Sequence, residues 1–154
     1  MSVTDIWVLC APKNSVFEIQ ERLRSFELTP NWLPQPNTPG TVQARIAANL
    51  EDSKVVSLSE SMIRLGVAFE ITQLSSEPAL ILGHPGLGLK RLAIDASGEI
   101  VIRVGQLERL LAEAGGSRSE LERLIRIEKG TAWLDLLEPY RLASLRVSQL
   151  PRAV

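Results

Sequence analysis

His84 is the only histidine of the chain and Cys10 its only cysteine, so histidine or thiol chemistry must pass through one of these two residues. A zinc site built on them would still need two carboxylates supplied by the fold, and no spacing in the chain provides that pattern. His84 stands beside Pro85, a setting more typical of a turn or surface residue than of a general base. Cys10 lies within the apolar run Ile6-Trp-Val-Leu-Cys-Ala11, where a thiol is expected to be buried and inert. Asp135 and Glu138 share one helix side at i and i+3. As a pair for acid–base work they lack a companion electrophile or metal, and a salt-bridged scaffold, with Arg141 or with another helix, is their expected use.

The loop Gly83-His-Pro-Gly-Leu-Gly88 has the outline of a phosphate cradle, with Gly86 and Gly88 free to adopt positive φ. It lacks the Walker Lys-Ser/Thr pair and leads into a strand rather than a helix N-terminus, so nucleotide-binding readings fail on context. Lys90 and Arg91 follow it and leave an anion-binding nest as an alternative use of the loop. The early segment Asn31-Trp-Leu-Pro-Gln-Pro-Asn-Thr-Pro-Gly40 offers different chemistry. Trp32, Pro34, Gln35 and Pro36 form a stiff aromatic–proline stretch of the kind that recognises a partner at low entropic cost. The competing reading places Trp32 over the core, with the prolines shaping an edge strand.

These residues need elements to hold them. Ile6–Ala11 reads as a strand buried on both faces, hence central in a sheet. Asn14 or Ser15 can cap a helix in which Val16, Ile19, Leu23 and Phe26 form one apolar stripe. Thr41–Ala47 alternates as a half-buried strand. Val55, Leu58, Met62 and Leu65 mark a second helix stopped by Gly66, and Val67–Gln73 is another strand. If residues 30–36 pair as a short strand, the first half has the order β-α-β-β-α-β. That order matches a ferredoxin-like arrangement with two helices on one face of an antiparallel sheet.

In the second half, Ala79–Leu82 and Leu89–Ile94 read as strands, and Asp95-Ala-Ser-Gly98 as a hairpin turn into a strand at Glu99–Arg103. A helix over Gln106–Ala114 presents Leu107, Leu110 and Leu111. A second, capped by Ser117 or Ser119, presents Leu121, Leu124 and Ile125. A final helix over roughly 131–138 carries Trp133, Leu136, Leu137 and Tyr140 and is expected to end ahead of Pro139. Beyond it, Arg141, Arg146 and Arg152 form a basic tail, either a docking element for an acidic protein partner or simply a solvated stretch.

At 154 residues the chain suits a single α+β domain, with residues 1–75 as the ferredoxin-like half and 76–154 as hairpin plus helices. Seventeen basic against eighteen acidic side chains argue against a dedicated nucleic-acid binder, which usually carries a basic excess. A lone cysteine favours a reducing cytoplasm. No apolar stretch approaches the roughly 20 residues of a membrane span, and no secretory leader pattern stands at the N-terminus.

Several of these segments, taken in order, resemble an uncharacterised actinobacterial family known as domain of unknown function 3145. The resemblance rests on Trp32-Leu-Pro-Gln-Pro36 with Pro39-Gly-Thr41, on Phe69-Glu70, and on Pro85-Gly-Leu-Gly88. It continues through Gly98-Glu-Ile-Val101, Ala132-Trp133 and Leu137-Glu-Pro-Tyr-Arg141. The chain departs from the family pattern at Leu134 and over Leu80–His84. The resemblance implies no established activity; members are often encoded near fatty-acid synthesis genes, which implies a partner class. The expected function is non-catalytic: a small cytoplasmic protein that binds another protein of lipid metabolism, with homodimerisation a further option. No cofactor, metal, membrane or nucleic acid is expected. A small-molecule or anion sensor stands second and an enzyme third. The expected binding residues are Trp32, Pro34, Gln35, Pro36, His84, Gly86, Gly88 and Arg141.

Overall fold

The computed structural model describes residues 2–149. It is an α+β fold in which six antiparallel strands form one open sheet in the order β2-β3-β1-β4-β5-β6. The strands are β1 (Ser2–Pro12), β2 (Leu33–Pro34), β3 (Thr41–Leu50), β4 (Ala68–Leu74), β5 (Ala79–His84) and β6 (Gly88–Ala93). The helices are α1 (Val16–Arg24), α2 (Asp52–Arg64), α3 (Val104–Ala114), α4 (Arg118–Glu128) and α5 (Thr131–Gln149).

Alternation along β1 sends successive side chains to opposite faces, and both faces are apolar. Ile6 and Val8 meet Ile19 and Leu23 of α1, Val55, Leu58 and Met62 of α2, and Phe69 and Ile71 of β4. Trp7 and Leu9 meet Leu82, Leu92 and Leu137 of α5 on the other side. β1 therefore lies between β3 and β4, the central position that its unbroken apolar run predicts. Phe69 also explains Gly83 across the β4–β5 pair: a Cβ there would enter the phenyl ring. Gly66 adopts φ +78° where α2 ends, as its position after the helical stripe predicts.

Two expected elements differ. The strand expected at Glu99–Arg103 does not form, and only an Ile94–Ile100 bridge joins the sheet. Asp95 Oδ1 holds the turn by accepting from Ser97 N, Ser97 Oγ and Glu99 N. Past it, Val101 is 39% exposed, so little burial rewards further pairing, and the chain leaves to start α3.

The helix expected to end ahead of Pro139 instead continues to Gln149 with Pro139 inside it. An interior proline removes one helical N–H and costs about 3 kcal/mol. Here buried side chains stand on both sides of it, Leu137 before and Ser144 after, and both turns are held to the sheet. The basic tail is therefore helical where it is described. Arg152 and the side chain of Arg146 lie outside the described residues.

The last three helices pack less deeply than their stripes predict. α4 buries no residue, and α3 buries only Leu110 and Ala114. Leu107, Leu111 and Leu136 are exposed, while Trp133 and Tyr140 are half-buried.

Candidate functional site: the α5 seam

α5 crosses the sheet, and polar clamps fix it at three places. Near its start, Trp133 Nε1 donates to the Gly88 carbonyl at 3.0 Å, at the head of β6. In its middle, Arg141 Nε lies 3.0 Å from Glu70 Oε1 of β4, a close ion pair whose N–H is not aligned for a hydrogen bond. Further on, the Gln35 amide, between β2 and β3, takes hold of the next turn. Gln35 Nε2 donates its two hydrogens to the Leu9 carbonyl at 2.6 Å and the Ser144 hydroxyl at 2.9 Å, with the Tyr140 carbonyl also within reach at 3.3 Å. Its Oε1 accepts from Asn37 N. Gln35 is only 2% exposed, so its amide is used inside the fold, tying β1, the proline loop and α5 together.

The middle clamp sits in a charged row. Register places Arg45 of β3, Trp7 of β1 and Glu70 of β4 side by side. The Arg45 guanidinium stands 4.6 Å from the Trp7 ring centroid and that of Arg141 stands 6.0 Å from it, at cation–π range. Asp5 pairs with Arg45 at 2.7 Å, and Glu138 pairs with Arg141 at 3.4 Å. Burial raises the Glu70 carboxyl above its ordinary range; the nearby Arg141 and Arg45 pull it back down, and Glu138 and Asp5 push it up. Removal from water outweighs the attraction of two arginines, as buried ion pairs often show.

The seam also creates a groove. Pro36 and Asn37 face Pro139, Leu142 and Ala143 across a depression of 420 Å³. Leu136, Pro139 and Leu142, at three-residue steps, are all exposed along α5. Pro34 and Pro36 are exposed beside it, whereas Trp32 packs its half-buried ring against the α1–α2 core. The Trp32 Nε1 and Gln43 Nε2 atoms are buried without a hydrogen-bond partner.

His84 and Gly86 share the turn after β5, where His84 Nδ1 accepts from Gly86 N at 3.0 Å. This turn sits at the β5–β6 side of the sheet and Trp32 near the β2 side, so the expected residues form no single site. α5 reaches both ends, through Trp133 and Gly88 at one and through Ser144 and Gln35 at the other. Burial pushes the Cys10 thiol up, while a hydrogen bond with Thr41 works against the shift. Among the described residues, no group of three or more His, Cys, Asp or Glu could hold a metal ion. No described helix is long and apolar enough to cross a membrane.

Sequence reasoning passes over Trp7 and gives Glu70 no role. The available signal is a carboxylate inside the strand Val67-Ala-Phe-Glu-Ile71, where burial demands a counter-charge; the sequence contains no comparable cue to its partner, 71 positions away in Arg141.

No curated protein and no solved structure matches the chain. The family model described as a protein of unknown function, DUF3145, matches residues 7–149. That span takes in all three clamps of α5, Gly88–Trp133, Glu70–Arg141 and Gln35–Ser144, and the chain belongs to this family.

Proposed function

We propose that the chain is a cytoplasmic binding protein that docks another protein on the outward face of α5 and the adjoining Pro34–Pro36 edge. One observation carries this reading. Leu136, Pro139 and Leu142 stand exposed in a line on a helix whose opposite side is held by Trp133, Arg141 and Ser144. A pre-ordered apolar row loses little conformational entropy on binding, and an exposed apolar cluster beside a groove is a common mark of an interaction surface. We take the partner to present an apolar segment and, from the family resemblance, to belong to fatty-acid synthesis. We read the half holding β1–β4, with strand order β2-β3-β1-β4, as a ferredoxin-like unit whose far face α5 closes.

A photo-cross-linker placed at Leu142 should capture one cytosolic protein. Leu136→Asp should abolish that capture while folding stability changes by no more than about 0.5 kcal/mol, as for other surface changes. Capture that persists in the Leu136→Asp protein would sink this reading.

A further inference from the structure

On the opposite side of the sheet, α1 and α2 flank an open, shallow groove of 580 Å³ lined by Phe17, Glu18, Glu21, Arg22, Ser61 and Arg64, among others. Two guanidinium groups from different helices converge on one hydroxyl there. Arg22 Nε donates to Ser61 Oγ at 2.9 Å, and Arg64 Nη2 donates to the same atom at 3.2 Å. Ser61 Oγ gives its own hydrogen to the Ser57 carbonyl at 3.0 Å. Ser61 is 3% exposed, and with its hydrogen committed it presents both lone pairs to the arginines.

Like charges are thus held close together, and among the described residues neither arginine forms an ion pair. Glu21 is taken by Arg24 at 3.0 Å, which leaves Glu18 as the other acid of the groove. Beside the arginines, Phe17 is 75% exposed, so its phenyl face is open to the apolar part of a ligand.

We propose that this groove binds a small phosphomonoester, its phosphoryl oxygens bridging Arg22 and Arg64 and its flat apolar part lying on Phe17. Two guanidinium groups meet a dianion with charge-assisted, directional bonds, and that dianion relieves their mutual repulsion. Glu18 and Glu21 also line the groove and repel any anion, so the phosphoryl group sits between the two guanidinium groups. A bilayer, which spreads negative charge across the whole rim, is opposed more strongly, and a free small molecule fits better than a lipid headgroup. The site stands apart from the α5 surface and does not depend on it.

The test is calorimetric titration of the whole protein with phenyl phosphate and with inorganic phosphate at low salt. Phenyl phosphate should bind saturably at one site. Arg22→Gln and Arg64→Gln should each weaken it about tenfold or more, while Arg118→Gln, a fully solvated control on α4, should not. Phe17→Ala should weaken phenyl phosphate and leave inorganic phosphate unchanged. Binding should tighten as pH rises through about 6, where a phosphomonoester gains its second charge. Absence of saturable binding up to about 10 mM, well past the weakest useful affinities, overturns the proposal. So does equal weakening by Arg118→Gln, or tighter Arg22-dependent binding to phosphatidic acid vesicles than to phenyl phosphate.

Discussion

The Glu70 carboxylate, in a residue only 7% exposed, faces Arg141 with 3.0 Å between Oε1 and Nε. Its raised pKa, caused first by burial, means that the folded state holds the Glu70 proton more tightly than the unfolded chain does. Stability linked to this group is therefore greatest at low pH. It falls as pH rises from about 4.3, the ordinary glutamate value, through the raised folded value. Urea midpoints recorded from pH 4 to 7 should show that slope, and Glu70→Gln should remove it. An identical pH dependence in the variant would show that Arg141 compensates the charge fully.

Gln35 and Ser144 offer a sharper energetic test because both are buried. Gln35→Ala should destabilise by about 2–4 kcal/mol, since it leaves the Leu9 carbonyl and other acceptors without their donor. Ser144→Ala should cost about 1 kcal/mol. The double variant should lose less than the sum of the two, as expected for residues in one network. Strict additivity in chemical unfolding would mean that the two residues act separately.

Gly83→Ala should destabilise by about 1–3 kcal/mol, the usual penalty for overpacking, because the new methyl group meets the Phe69 ring. A Phe69→Leu background should recover part of the loss, and thermal melts of the four proteins decide it.

Trp32→Ala should lower stability by about 2–3 kcal/mol, somewhat below the value for a fully buried tryptophan, because the ring packs on the α1–α2 core. Pro36→Ser, exposed at the groove, should leave the melting temperature unchanged. A thermally neutral Trp32→Ala would place that ring on a working surface instead.

Much of the sheet was legible because its signals are local. Ile6–Ala11 announces a strand buried on both faces, and Val55, Leu58 and Met62 announce a helix that covers one of them. Pro139 misleads because its local penalty is visible in the sequence while the burial of Leu137 and Ser144 is not. The Glu99–Arg103 stretch misleads in the opposite way: its β-branched residues suit a strand, yet no face awaits them. The seam is hidden for a third reason. Gln35, Glu70 and Gly88 look unrelated until a single helix meets all three, and periodicity carries no trace of contacts so far apart along the chain.

That helix also dictates an order of assembly. The bond from Gln35 to Ser144 spans 109 positions and that from Gly88 to Trp133 spans 45, so neither can form until the last helix has emerged from the ribosome. The α1–α2 side has no such wait, since every residue of its core precedes Leu82. During synthesis one face of the sheet can therefore close while Trp7, Leu9 and Leu82 remain uncovered. A sheet covered on one side leaves those apolar side chains open to misassociation until α5 docks. Slow translation across Thr131–Gln149 would lengthen that interval, and a chaperone that shields the bare face would shorten the danger.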